Sequence, residues 1–177
     1  MNKFISKTIY IRLVQEDDSE FICSLRANSE LNNFLSPSAN DVNLQKEWIK
    51  KYKERESRKE EFYYIIYKTE NNEAIGTIRL YDFQNDIMSF CWGSWILNEN
   101  KTRSAAIESA LLAYYIGFEI LGFEHSHFDV MKGNDNVHSF HRKMGAEYLR
   151  EDQNNVYYTL SLKQYHYLKD YYKKFTK

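Results

Sequence analysis

Residues 91–115, CWGSWILNENKTRSAAIESALLAYY, decide how the rest of the chain is read. With Ile87 to Phe90 before it, the segment up to Leu97 is apolar and aromatic, too short for a globular helix, and interrupted at Gly93. It reads as a buried strand in which the Gly marks a bulge or a close backbone approach. A polar turn from Asn98 to Arg103 follows. Next comes a helix with its N-cap at Ser104, small Ala105 and Ala106 in its first turn, and Glu108 nearby. Ile107, Ala110, Leu111, Tyr114, Tyr115 and Phe118 keep the helical period. A bulged strand feeding a small-residue helix start makes a cleft whose free backbone N–H groups suit a phosphate, because dipole and orphan amides both favour anions.

Working outward, Thr8 to Val14 reads as a first strand, and Asp17-Asp18-Ser19 offers N-caps to a helix with Phe21, Ile22 and Leu25 on one face. Leu31 to Asn40 is rich in Asn and Ser and contains Pro37, which makes it a loop or broken helix. A second helix runs from about Asn43 to Arg55, and the charge run Lys53 to Glu61 reads as a solvated face and loop. Phe62 to Lys68 and Ala74 to Tyr81 are strands that form an antiparallel meander with Ile87 to Leu97. Beyond the central helix, His125 to Met131 is a further strand, and a helix then ends at Met144-Gly145. Ala146 to Leu149 and Val156 to Leu162 close the sheet, and residues 163–175 form a last amphipathic helix.

The 177 residues carry a net charge of −1, which supplies no global pull towards nucleic acid or an anionic membrane. One Pro and six Gly argue against disorder, and 15 Tyr imply a core rich in rings with polar handles. Cys23 and Cys91 lack metal spacing and read as reduced buried thiols. With no signal-like N-terminus and no run long enough to span a bilayer, one soluble cytoplasmic domain over residues 1–177 is expected.

Lys101-Thr102-Arg103-Ser104-Ala105-Ala106 resembles the acyl-CoA signature of the GNAT acetyltransferase superfamily, (Gln/Arg)-x-x-Gly-x-(Gly/Ala). Ala106 matches its last position, Lys101 keeps the charge of its first, and Ser104 departs from the usual Gly. Asn134 with Phe140 to Ala146 resembles a second motif, and Ile11-Arg12-Leu13 followed by Leu25-Arg26-x-Asn28 is similar to branches of the family. The element order over residues 8–162 matches its layout. The resemblance implies an α+β (α/β/α) sandwich, a mixed but mostly antiparallel sheet of about seven strands with helices on both faces. It also implies acetyl-CoA as cosubstrate and direct attack of a primary amine on the thioester.

On that reading the strand around Gly93, with Trp95, Ile96 and Leu97, meets the pantetheine, joined by Asn134. Lys101, Thr102, Arg103, Ser104, Ala105 and Ala106 hold the pyrophosphate. His141 falls where many members place a Tyr that protonates the leaving thiolate. An imidazolium, with an unperturbed pKa of roughly 6.5, is a competent acid at neutral pH; the alternative is that His141 only packs near the sulfur. No general base is placed; Asp82, Asp86 and Glu108 are the acids near the expected cleft. His125 and His127 share a strand face without a third ligand, so no metal is expected, and His138 and His166 read as surface or half-buried. Arg26, Asn28, Trp48, Arg79 and Tyr81, with the 31–40 loop, offer amides, cations and rings suited to an amino sugar linked to a nucleotide. The acceptors left open are a protein N-terminus and an antibiotic amine; a CoA-binding module without catalysis also stays open, and a homodimer is compatible with each.

Overall fold

In the computed structural model, which describes residues 3–28 and 41–175, the bulged strand lies near the middle of an eight-stranded sheet. The strands are β1 (Lys3–Ile5), β2 (Ile9–Leu13), β3 (Phe62–Lys68), β4 (Ala74–Gln84), β5 (Ser89–Leu97), β6 (His125–Met131), β7 (Glu147–Glu151) and β8 (Asn155–Ser161). They lie in the order β1-β2-β3-β4-β5-β6-β8-β7, antiparallel throughout except for the parallel pair β5–β6. The sheet therefore has one strand more than the sequence suggests. Lys3–Ile5 pairs with β2 through Lys3↔Arg12, and three residues are too few to display a two-residue period.

The helices are α1 (Ser19–Ala27), α2 (Val42–Ser57), α3 (Ala105–Tyr115), α4 (Asp135–Lys143) and α5 (Leu162–Tyr171). Alternation along β3 explains why they occupy both faces. Tyr63 and Ile65 pack with Ile22, Ile49 and Tyr52 from α1 and α2, whereas Phe62, Tyr64 and Ile66 join the cluster that includes Ala110, Tyr114 and Leu168. Each fully buried aliphatic of this kind contributes roughly 1.5–3 kcal/mol. Helix α3 ends in a π turn, Ile116–Ile120, where the Leu121 amide reaches back to the Ile116 carbonyl. The C-terminal helix stops at Tyr171, and Lys173–Phe175 continues as a short 3-10 turn.

Two boundaries differ from the sequence reading for local reasons. Ile87 and Met88 belong to the β4–β5 turn, where Met88 adopts φ +49. Glu61, at the end of the charge run, is buried at 3% exposure because Arg55 and Arg79 both ion-pair with it. The 31–40 loop lies outside the described residues.

Candidate active site

Strands β5 and β6 pair at Ser89↔His125 and Phe90↔Ser126, after which the registered rungs stop and the strands diverge. Beyond that point β5 follows β4 instead, with an irregularity. Thr77 faces Ile96 and Arg79 faces Gly93, so β5 uses one residue more than β4 over the same span. The extra length is taken up at Ser94, which sits at φ +46 and whose carbonyl accepts a 2.8 Å hydrogen bond from the Thr77 hydroxyl. A non-Gly residue there costs about 1 kcal/mol or more, a strain that the surrounding pairing must hold in place. The bulge is thus where the sequence puts it, but its left-handed residue is Ser94. Gly93 has a different task, since a Cβ on it would lie 3.0 Å from the Tyr81 hydroxyl oxygen.

The divergence opens a cleft of about 570 Å³. Cys91 to Trp95 of β5 form one wall and Phe128 to Met131 of β6 the other. Val137 and His141 close it from α4 and Asn134 from that helix's N-cap, Asn154 from the β7–β8 turn, Asn155 from the start of β8, and Arg26 and Tyr81 from α1 and β4. Among the sequence-proposed residues, Trp95, Asn134, His141, Arg26 and Tyr81 therefore meet around one space. Trp95 is fixed by a 3.0 Å hydrogen bond from its indole N–H to Ser109 and by ring contact with Phe140 at 4.9 Å. Asn134 takes the N-cap position of α4 without using its side chain as the cap.

Of the two readings that the sequence leaves for His141, the structure favours the packed one. The residue is 4% exposed, wedged between Phe128 at 4.2 Å and Trp92 at 5.3 Å, and its Nδ1 has no hydrogen-bond partner. Burial, helped by the charge of His138, pushes its pKa down to about 3, so the resting side chain is neutral. His138 is likewise buried, against expectation. Its Nε2–H donates to the Met131 carbonyl at 3.1 Å, which leaves Nδ1 to accept from the Tyr158 hydroxyl at 2.8 Å and ties α4 to β6 and β8.

The residues from Lys101 to Ala106 do not line the cleft; they follow β5 and lead into α3, whose first-turn amides have no intrahelical acceptor. Lys101 and Arg103 are exposed. The hydroxyls of Thr102 and Ser104 turn inward, contrary to their expected use on a phosphate. Ser104 donates to Glu108 Oε1 at 2.6 Å, and Thr102 donates to Thr8 Oγ1 at 2.7 Å, which itself donates to Glu108 Oε1 at 2.6 Å. The Thr8 backbone N–H completes the set on Oε2 at 2.8 Å. Glu108 is wholly buried and fully engaged, so it anchors the loop to the start of β2 and is not a general base. Ser104 holds the N-cap place with no side-chain cap bond. Ile96 is buried and Leu97 half-buried, and neither lines the cleft.

Trp48 and Arg79 are drawn away from the cleft. Trp48 stacks on Tyr52 at 5.6 Å and 3°, with the Arg55 and Arg79 guanidinium groups 5.6 and 5.3 Å from its ring, so its ring is already engaged within the fold. Arg79 is held by Glu61. Asn28 is exposed at the C-cap of α1 and outside the lining. Asp82 is engaged by His127 Nε2 and Gln84, and Asp86 is exposed in the β4–β5 turn. The carboxylate that does line the cleft, among the described residues, is Asp129. The sequence signal for it was the two-residue period: Asp129 follows His125 and His127 on the solvent-facing side of β6. Among the described residues no group of three or more His, Cys, Asp or Glu is placed to hold a metal ion, and no helix is long and apolar enough to cross a membrane.

The sheet splays between its two parallel strands, beside a bulge and a small-residue helix start, and leaves a cleft open there for a ligand. The chain belongs to the GNAT acetyltransferase family, whose Acetyltransferase (GNAT) domain model matches residues 8–147. It is similar to the structure of apo FdhC, described as a nucleotide-linked sugar GNAT, at 53% identity over 100% of both chains with a TM-score of 0.94. A ribosomal-protein-S5-alanine acetyltransferase from Vibrio fischeri shares the fold at 12% identity, covering 91% of this chain and 97% of its own, with a TM-score of 0.79. A variant of the spermidine N-acetyltransferase SpeG from Vibrio cholerae does so at 14% identity, over 90% and 96%, with a TM-score of 0.73. No curated protein matches the sequence.

Proposed function

We propose that residues 1–177 act as one cytoplasmic acetyltransferase that moves acetyl from acetyl-CoA to the amine of a nucleotide-linked amino sugar. The observation that carries this reading is the full-length similarity, at 53% identity, to a protein described as a nucleotide-linked sugar GNAT. Two buried free thiols, Cys23 and Cys91, suit a reducing compartment.

The cleft fits the donor. His141 Nδ1 and Asn155 Oδ1 are buried, unpartnered polar atoms on residues that line it, and an amide-bearing pantetheine ending in sulfur supplies what they lack. The bulge turns backbone groups of β5 out of the β4 ladder and towards the ligand. The phosphates belong beyond the end of β5, on the first turn of α3 beside Arg103 and Lys101. The backbone of that loop, held from below by Glu108, carries the phosphate contact in place of the Thr102 and Ser104 hydroxyls. Among the described residues that line the cleft, Arg26 supplies a cation, which suits the acceptor's diphosphate. A polar amine buried beside the thioester is held neutral and nucleophilic by loss of solvent.

Acetyl transfer tests the acceptor. kcat/KM for UDP- and dTDP-linked 3- or 4-amino deoxysugars is expected to exceed that for the free amino sugars, for peptides beginning with Ser, Ala or Met, for spermidine and for aminoglycosides. Preference for a peptide or polyamine, or indifference to the nucleotide, removes this acceptor. The donor is tested separately by Arg103→Glu. Replacing an exposed cation with an anion beside the phosphates is expected to weaken CoA binding about tenfold by calorimetry, more strongly at low salt. Unchanged affinity would move the phosphates elsewhere.

A further inference from the structure

The cleft is chemically two-sided. Along β6 the side chains alternate, so Phe128 and Val130 are buried while Asp129 is exposed beside its pairing partner on β8, Tyr157. Phe128 packs on His141, and Trp92 packs on the same ring, which makes that wall apolar and neutral. The opposite side is polar. Tyr81 and Cys91 are directly paired across β4 and β5 and, with Arg26 and Asp129, complete the lining there. Of the other acids considered for this reaction, Glu108 lies under the phosphate loop, Asp82 is engaged by His127, and Asp86 is in the β4–β5 turn outside the lining. Among the described residues, the carboxylate that an amine entering from the α1 side meets is Asp129.

From this placement we propose that Asp129 is the catalytic residue that takes the proton from the attacking amine. The inference rests on the amine-acetylation reading above but not on which amine is used. The amine lone pair forms the N–C bond to the thioester carbonyl carbon, and the carbonyl pair moves onto oxygen. One N–H proton passes to the Asp129 carboxylate. The carbonyl then re-forms, the C–S bond breaks with its pair on sulfur, and the proton held by Asp129 ends on the thiolate, directly or through water. Amine and thioester thus give amide and thiol, and the carboxylate is restored. Its neighbours keep their protons mainly through burial: loss of solvent, with smaller contributions from Cys91 and Asp129, raises the Tyr81 hydroxyl, and burial pushes the Cys91 thiol up to about 12. Both stay protonated at neutral pH and do not compete for the proton.

Steady-state acetyl transfer is measured for wild type, Asp129→Asn and Asp129→Glu with whichever amine of the acceptor panel wild type uses best. CoA affinity is followed in parallel by calorimetry. Asp129→Asn is expected to lower kcat about a hundredfold and leave the CoA dissociation constant unchanged. Its rate should keep climbing with pH where wild type has levelled off, and Asp129→Glu should recover part of the loss. A kcat within threefold of wild type, or a loss confined to the KM of the amine, would overturn the proposal and leave Asp129 at most an anchor. If the best amine is not a nucleotide-linked sugar, the acceptor reading fails while the same variants still decide the role of Asp129.

Discussion

Gly76→Ala is expected to lower the melting temperature by about 10 °C and to weaken CoA binding with it. Gly76 pairs with Leu97 at the end of β5, the point from which the chain leaves for the phosphate loop. An added Cβ would sit 2.1 Å from the Ile96 carbonyl oxygen and 2.9 Å from Leu97 Cδ2. The first of these is backbone and has no rotamer to escape into. The strand itself must shift, at a cost of about 3 kcal/mol, and each kcal/mol moves the melting point of a domain this size by about 2–4 °C. The shift falls next to Asn98, whose amide bonds the Ile75 carbonyl at 2.9 Å, so it is transmitted to the loop that carries Arg103. Gly93→Ala is the matched control. Its Cβ would meet the Tyr81 hydroxyl end at 3.0 Å, a side chain that can yield, and a loss of about 1 kcal/mol is expected. Thermal unfolding of the two variants beside wild type checks the ordering, and a Gly76→Ala melting point within 2 °C of wild type would show that the strand pair yields freely.

The same contrast between pattern and placement governs what could be read in advance. Periodicity is carried by the chain itself, so β3 and β6 fall at the residues read from it, and the strand–turn–helix around Gly93 to Ala106 is legible as a unit. Which neighbour a side chain meets is not carried by the pattern. Trp48 and Arg79 have the right chemistry for a base and a diphosphate, yet Glu61 collects Arg55 and Arg79 and Trp48 settles over both cations. A buried Glu at the end of a charge run looks, in sequence, like any solvated Glu. Thr102 and Ser104 were similarly ambiguous, since a hydroxyl near a phosphate loop can face the ligand or the fold. The buried Glu108, 100 residues from Thr8, turns them inward. Asp129 was hidden for the opposite reason, because nothing beside it in sequence shows that β5 and β6 separate there.

His141 supplies an acid-sensitive weakness that a charged active-site histidine would not. In the unfolded chain its imidazole titrates near about 6.5, whereas burial among Phe128, Trp92 and Phe140 holds the native group neutral down to about 3. Between those two values the unfolded state binds a proton that the native state refuses. Stability from this residue is therefore intact above pH 6.5 and is lost as pH falls towards 3, by up to about 1.4 kcal/mol per pH unit. His138, the other imidazole beside it, has both nitrogens engaged by Tyr158 and the Met131 carbonyl, and it is present in both proteins compared. His141→Phe keeps a ring of similar size in an aromatic setting and removes the titration. Between pH 6.5 and 4.5 wild type is expected to lose roughly 2–3 kcal/mol more than His141→Phe, measured as the pH dependence of denaturant midpoints, because the carboxylates contribute equally to both. The catalytic readout follows from the same neutrality. A neutral imidazole can offer the leaving thiolate a hydrogen bond, worth about 1 kcal/mol, but not the proton of a general acid. At pH 7.5 the variant should keep kcat within about tenfold of wild type. Parallel acid limbs in the two proteins, together with a hundredfold loss of kcat in His141→Phe, would mean that the native imidazole is charged and acts as the acid after all.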